Sequence, residues 1–186
     1  MKKYLLILVC LVYSYFAVAQ ESKFQQRLEV VTVSIQEGDD DSMMSAREDM
    51  GVFNIPIDGE NHYYLSVGHL GIGDDIIQFN VDPLFELFIP IGDTLAESMD
   101  SLKELQSLFK GPKGGSIETE GCLAFAFPNE NLEKVTVTYQ KVLLTKMLAF
   151  SVEREGYVRS THIPRSQFNS LISSLKLYRK LHPKEI

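Results

Sequence analysis

Two segments of the chain have helical periodicity, and most of the remaining sequence alternates between apolar and polar residues. In the first segment, apolar residues recur at helical spacing from Leu95 to Phe109. Thr94 and Glu97 have the spacing of a capping box, which predicts that a helix begins after Thr94. The pair Gly111-Pro112 predicts its end. The first segment therefore predicts an amphipathic helix with one face in water.

The second helical segment lies at the end of the chain. An apolar stripe runs from Phe168 to Leu181, and Pro164 occupies a position that a first helical turn tolerates. The pair His182-Pro183 predicts the end of this helix. Both predicted helices thus have one apolar face that must be buried against another part of the protein.

The alternating segments are rich in β-branched residues, which predicts short strands joined by turns. The pair Asp58-Gly59 predicts the turn of a hairpin, and the glycine-rich stretch 68–75 predicts a loop. The predicted strands are 28–35, 52–57, 62–67, 76–81, 85–89, 117–127, 133–144, 147–153 and 157–163.

This order of elements predicts an α+β fold: a largely antiparallel β-sheet with two amphipathic helices packed on one face. Several strands followed by a helix occur twice. The motif Ser101-Leu102-Lys103 in the first helix resembles Ser174-Leu175-Lys176 in the second. We therefore keep two hypotheses, that the halves are two repeated units or that this likeness is chance.

The first nineteen residues predict a cleaved signal peptide. Lys2 and Lys3 precede an apolar run over residues 4–16, and Ala17-Val18-Ala19 has the small side chains of a cleavage site. The run is too short to span a bilayer. A lipid anchor on Cys10 is disfavoured because Val9 stands where a small residue is required. The sequence predicts a single α+β domain over residues 20–186, exported to the periplasm or the extracellular space.

The exported chain is acidic and has one cysteine. The whole chain has a formal charge of -7, which becomes -9 once Lys2 and Lys3 are removed. This charge favours a basic protein partner and argues against binding to nucleic acid or to an anionic membrane surface. Cys122 has apolar neighbours on both alternating faces, so we expect a buried thiol that forms no disulfide.

No residue pattern predicts a metal, a cofactor or a catalytic group. The histidines, at positions 62, 69, 162 and 182, do not form the close pair typical of zinc sites. Strand alternation places His62 and His69 on opposite faces unless a bulge intervenes at Gly68. Gly71 and Gly73 lack the third glycine of a dinucleotide-binding loop and indicate a turn. We therefore expect no cofactor and no catalytic site.

Two groups of residues are candidates for binding a partner protein. Asp39, Asp40 and Asp41 lie in one predicted acidic loop, and Asp74 and Asp75 in another. Neither loop has the residue pattern of an EF-hand, so we expect solvated acidic groups that steer a basic partner. The second group is the pair Tyr63 and Tyr64, of which one ring is free to point outward, with core packing as the alternative.

Together these observations predict an exported protein of a bacterial envelope that binds another protein without catalysis. An inhibitor or immunity-type protein that covers a basic enzyme or toxin is the most concrete form. The alternative is a small periplasmic enzyme or ligand-binding protein with a pocket between sheet and helices, using His62, His69 or His162.

Overall fold

The computed structural model describes residues 27–35, 48–57, 59–72, 81–123, 132–154 and 156–183. These residues form eight strands and two α-helices, so the α+β class is confirmed. The strands are β1 (Leu28–Ile35), β2 (Glu48–Asn54), β3 (Tyr63–Ile72), β4 (Val81–Gly92), β5 (Ser116–Leu123), β6 (Glu133–Val142), β7 (Thr145–Arg154) and β8 (Tyr157–Pro164). The helices are α1 (Leu95–Ser107) and α2 (Arg165–Leu181), and a 3-10 helix (Leu108–Lys110) follows α1.

All eight strands belong to one antiparallel sheet, in which each strand pairs with its neighbours in sequence. The strand β3 makes an additional pairing with β8, through Gly71 opposite Ser160 and Ile72 opposite Arg159. The first half of the same β3 edge pairs with β2, so the sheet curls until its last strand meets its third. This curvature gives the sheet a concave side.

One large apolar cluster joins nearly all elements. It contains buried side chains from strands β2 to β8, from both α-helices and from the 3-10 helix. A smaller cluster contains Phe53, Ile55, Tyr64, Phe88 and Cys122, and no helix residue belongs to it. Side chains next to each other on a strand point to opposite faces, which explains why Tyr63 packs in the large cluster and Tyr64 in the small one.

Both helices begin where the sequence predicts, and α2 also ends there, whereas α1 ends at Ser107 and the predicted stop at Gly111 ends the 3-10 helix. The Thr94 side chain accepts a hydrogen bond from the Glu97 backbone N–H, and Glu97 accepts one from the Thr94 backbone N–H, so the capping box is confirmed. Pro164 directly precedes α2, and His182 follows its last residue. None of the helices in the described ranges is both long enough and apolar enough to cross a membrane.

The strand predicted over residues 52–57 is β2, which begins at Glu48 and ends at Asn54, and the strand predictions need three further corrections. The stretch from Gly68 to Ile72, predicted as a loop, continues β3. Gly68 has a positive φ of 81° and the β3–β4 register shifts there, so the strand passes through a bulge and does not end. The predicted break at Asp82-Pro83 lies inside β4, where the pairing skips from Glu86 to Val81. Proline inside a strand is tolerated at irregularities of this kind, where the ladder does not require its missing N–H.

The third correction concerns the strand predicted over residues 133–144, which ends at Val142. Leu143 and Leu144 form a two-residue turn between β6 and β7. Their apolar side chains continue the strand pattern in the sequence, which is why the turn was not predicted. Residues 76–80 and 124–127, also predicted as strand, lie outside the described residues.

Candidate functional site

The acidic residues predicted to bind a partner are outside the part of the chain that the structure describes. Asp39, Asp40 and Asp41 fall in sequence between β1 and β2, and Asp74 and Asp75 between β3 and β4. Their role in binding stays a prediction.

The tyrosine pair is packed inside the protein. Tyr63 is 3 % exposed and Tyr64 is 5 % exposed, so the expectation that one ring points outward is wrong. The two faces of the sheet are both covered at this point, by the large and the small cluster respectively. Both rings pack in the core, which was the alternative prediction. Contact of these residues with a partner stays a prediction.

A row of carboxylates lies on the solvent side of α1. Asp93 directly precedes the N-cap Thr94, and Glu97, Asp100 and Glu104 follow on the helix at spacings of three or four residues, which place them on one face. All four residues are exposed, whereas the opposite side of α1 packs in the large cluster. We call these four residues the acidic face of α1.

Local contacts hold three of these carboxylates. The Asp93 Oδ1 atom lies 2.7 Å from His62 Nδ1. Glu97 Oε2 accepts a hydrogen bond of 2.8 Å from the Asp93 backbone N–H. Asp100 Oδ1 accepts a 2.7 Å hydrogen bond from Lys103 Nζ, and this bond, with the charge of Lys103, lowers the pKa of Asp100. Asp100 is therefore ionised at neutral pH.

The two helices run antiparallel and contact each other. Gln106 Nε2, in the last turn of α1, donates a 2.7 Å hydrogen bond to Asn169 Oδ1, near the start of α2. At the other end of the pair, the charge of Arg179 adds to the lowering of the pKa of Asp100. Each helix thus brings its surface charges next to those of the other.

An open groove lies between the two helices at the end of α2. Its volume is about 490 Å³. The residues that line it are Met99, Lys103, Lys176, Arg179, Lys180 and Pro183. Four of these six residues are cationic, and we call this feature the basic groove. Cations near the carboxyl end of a helix are stabilised by its dipole, and in an open groove they also suit a carboxylate or phosphate group.

The basic groove was not among the predicted sites, although the chain carries a signal for it. There is no Asp or Glu between Gly156 and Pro183, while this stretch has Arg159, Arg165, Lys176, Arg179 and Lys180. The whole-chain charge of -7 hides this local excess of cations. Regional charge counts would have found it, but only the packing of α1 against α2 adds Lys103 to the same surface.

The four histidines lie in different segments, and His69 and His162 are on the paired strands β3 and β8. His62 contacts Asp93, whereas His162 is buried on β8. His182 stacks on the ring of Tyr178 with a centroid distance of 4.1 Å, just beyond α2. His69 follows the bulge at Gly68. A bulge interrupts the alternation of side chains along a strand, so the rule that would place His62 and His69 on opposite faces does not apply here.

In hydrolases with a catalytic triad, a carboxylate such as Asp93 orients a histidine such as His62, which acts as the general base. The other ring nitrogen of that histidine contacts the hydroxyl or thiol that it deprotonates. No hydrogen bond within the described ranges joins the His62 ring to a serine, threonine or cysteine. Nor do the described residues contain a group of three or more His, Cys, Asp or Glu side chains placed to hold a metal ion.

Cys122 is a buried thiol, as predicted. It is 1 % exposed and packs in the small cluster. Burial raises the pKa of the thiol to about 12. A thiol with this pKa is almost entirely protonated at neutral pH, so it does not act as a nucleophile in the folded protein.

Comparisons of the chain with protein-family models, with curated proteins and with solved structures find no match.

Proposed function

We propose that this protein is an exported, non-catalytic binding protein that acts on a basic protein partner, as an inhibitor or immunity-type protein would. The observation that carries the proposal is the acidic face of α1: three exposed carboxylates in a row on the helix and a fourth, Asp93, just before its N-cap. Concentrated charge of one sign raises the rate at which a partner of opposite sign associates. A helix fixed by its packing presents these charges without a cost of ordering on binding.

The basic groove next to this face would fix the orientation of the partner on the helix pair. A partner that covers the helix pair places cations against α1 and an acidic side chain against Lys176 and Arg179 in the groove. Charges of opposite sign side by side reject partners with the wrong arrangement and fix the register of the right one. We infer that the partner surface is mainly basic with an acidic group at its edge.

Affinity purification tests the proposal. The tagged protein, secreted in its native host, is recovered from the envelope at low salt and washed at increasing salt, and the retained proteins are identified by mass spectrometry. We expect one basic protein that dissociates as salt rises, because exposed charge pairs are screened.

A pair of variants locates the contact. Asp100→Asn with Glu104→Gln removes two charges from the acidic face of α1 and is expected to weaken partner retention by about tenfold. The matched control, Glu120→Gln with Glu153→Gln, removes two exposed charges from β5 and β7. Equal retention of both double variants would show that net charge, and not the acidic face of α1, governs binding.

The basic groove supports a second candidate, a ligand-binding protein for a small anion. The groove lies between the two helices, whereas the predicted ligand-binding alternative has its pocket between the sheet and the helices. Thermal unfolding with and without citrate or inorganic phosphate tests this candidate. A rise in Tm that disappears in Lys176→Gln with Arg179→Gln would favour it over the protein-binding proposal, and an unchanged Tm would remove it.

The export and cleavage of residues 1–19 also belong to the proposal. The protein recovered from culture is expected to begin at Gln20, which mass spectrometry of the intact protein checks. A mass that includes the first nineteen residues in the purified envelope fraction would contradict cleavage.

Finally, we propose that both helices cover one face of the sheet and that the two halves are related by duplication. In support, both helices contribute to the large cluster and neither to the small one. Each half consists of four strands and a helix, and Leu102 and Leu175, at the centre of the two similar motifs, are both fully buried. Superposition of the halves tests duplication, which requires that α1 overlay α2 with these two leucines aligned.

A further inference from the structure

The turn between β6 and β7 departs from the usual chemistry of a two-residue hairpin. Such turns favour Asn-Gly or other residues that accept a positive φ, but here the residues are Leu143 and Leu144. Leu143 has a φ of 53° and is the non-glycine residue with positive φ among those described. Both leucines are 91 % exposed. A bulky side chain in a strained turn, with no packing to favour it, indicates a role outside folding.

The residues that flank the turn depart from a second rule. Lys141 and Lys146 are directly opposite each other on the two strands. Opposed like charges destabilise an antiparallel pair. We call residues 141–146 the tip hairpin: two exposed leucines at the end of a hairpin, with a lysine on each strand just behind them.

The surroundings of the tip hairpin are also cationic. The Gly114 N–H donates a 2.9 Å hydrogen bond to the Tyr139 carbonyl, and the Tyr139 N–H donates a 2.8 Å bond to the Gly115 carbonyl. These bonds place the exposed Lys113 beside the same end of β6.

Acidic groups on the neighbouring strands are distant. On β5 the first acid is Glu118, which pairs with Lys134 and lies opposite Thr136. Thr136 is five residues from Lys141, about 16 Å along a strand. Because charges are screened over about 8 Å at physiological ionic strength, the described residues around the tip give it a local positive charge although the whole chain is acidic.

We propose that the tip hairpin is a membrane-contact site that inserts Leu143 and Leu144 shallowly into an anionic lipid surface, with Lys141, Lys146 and Lys113 against the headgroups. The apolar stems of the lysines lie along the hairpin while their ammonium groups reach the phosphates. Two leucines and three cations give weak, reversible attachment, as expected for an interfacial contact.

Shape favours lipid over a protein receptor as the occupant. A two-residue tip exposed on all sides requires a deep pocket in a protein partner, whereas a fluid lipid interface closes around it without a preformed cavity. The local positive charge is complementary to an anionic lipid surface, not to the basic protein expected at the acidic face of α1.

Fluorescence provides the direct test, because the chain contains no tryptophan. In Leu144→Trp the indole is the only one in the protein. With vesicles of phosphatidylcholine and phosphatidylglycerol in a 7:3 ratio, we expect a blue shift and quenching by brominated lipid, and no change with phosphatidylcholine alone. Leu132→Trp, at an exposed leucine just before β6 and at the opposite end of that strand from the tip, is the matched control and should show neither effect. Equal responses at both positions, or none at position 144, would overturn the proposal.

A second variant separates binding from folding. Leu143→Asn with Leu144→Gly installs the turn sequence that two-residue hairpins favour, so the protein should be at least as stable to urea as the wild type. Its binding to the anionic vesicles, measured by sedimentation, is expected to fall by about tenfold or more, on the scale of two exposed leucines. Lys141→Gln with Lys146→Gln should also reduce binding to the anionic vesicles, because two of the cations that face the headgroups are lost.

Binding that is unchanged in the Asn-Gly variant would contradict the site. If the wild type instead forms a dimer without vesicles and the Asn-Gly variant does not, the tip contacts a second copy of the chain and the lipid proposal is wrong. Gel filtration across a range of protein concentrations measures this outcome.

Discussion

At the residue scale, burial decides the chemistry of Cys122. With a pKa of about 12, roughly one thiol in ten thousand is ionised at pH 8. We therefore predict that the folded exported protein does not react with a disulfide reagent over minutes at pH 8, and that one thiol reacts at once in urea. Rapid labelling without denaturant would show that the small cluster opens easily.

Gly92 is required by the junction between β4 and α1. Its φ is 131°, and a Cβ at this position would lie 2.5 Å from the Cβ of Glu97. Gly92→Ala therefore combines backbone strain with a collision against the capping residue, and we predict a loss of about 2 kcal/mol or more in the free energy of unfolding. Urea unfolding monitored by circular dichroism measures this loss.

Gly114 provides the matched control. It also has a positive φ, of 84°, but a Cβ there meets nothing within 4 Å. Gly114→Ala should therefore cost only the conformational strain, about 1 kcal/mol. Equal losses for the two variants would show that the contact with Glu97 does not matter.

At the element scale, the start of α1 depends on one hydroxyl. Thr94 Oγ1 accepts a 3.2 Å hydrogen bond from the Glu97 N–H. Thr94→Ala removes this acceptor and is predicted to lower the free energy of unfolding by about 1 kcal/mol. Thr94→Ser keeps the hydroxyl and should retain most of the stability. If Ser and Ala prove equally destabilising, the methyl group rather than the capping bond is responsible.

The helices were predictable because their signals are local. Apolar residues at helical spacing, a capping box and terminal prolines lie within a few residues of each other. The strands were less predictable because pairing controls their ends. Pro83 lies inside β4 at a register shift with β3, and Leu143 begins a turn although it continues an apolar pattern. Neither fact is visible without the partner strand.

At the scale of the whole molecule, the large cluster predicts cooperative unfolding. It joins strands β2 to β8 and both helices, so neither half has a core of its own. We predict one urea transition with coincident curves from circular dichroism and tyrosine fluorescence. Two separate transitions would contradict a single domain and would favour independently folded halves.

The net charge of the whole molecule does not describe the charge of its individual surfaces. The acidic face of α1, the basic groove and the positive tip hairpin coexist in a chain with a net charge of -7. The net value alone predicts a basic partner. The acidic face of α1 and the basic groove adjoin, because Lys103 lines the groove and pairs with Asp100, so a partner would meet both together, whereas the tip hairpin lies on β6 and β7.

The sequence by itself determined the fold class, both helices, the capping box of α1, the burial of Cys122 and most strands, because these follow from periodicity and short-range hydrogen bonds. The tertiary structure alone decided that Tyr63 and Tyr64 are both buried, that α1 and α2 form the basic groove, and that Leu143 and Leu144 are exposed at a tip. These features depend on which distant segments meet, and no local pattern encodes the closure of β3 against β8.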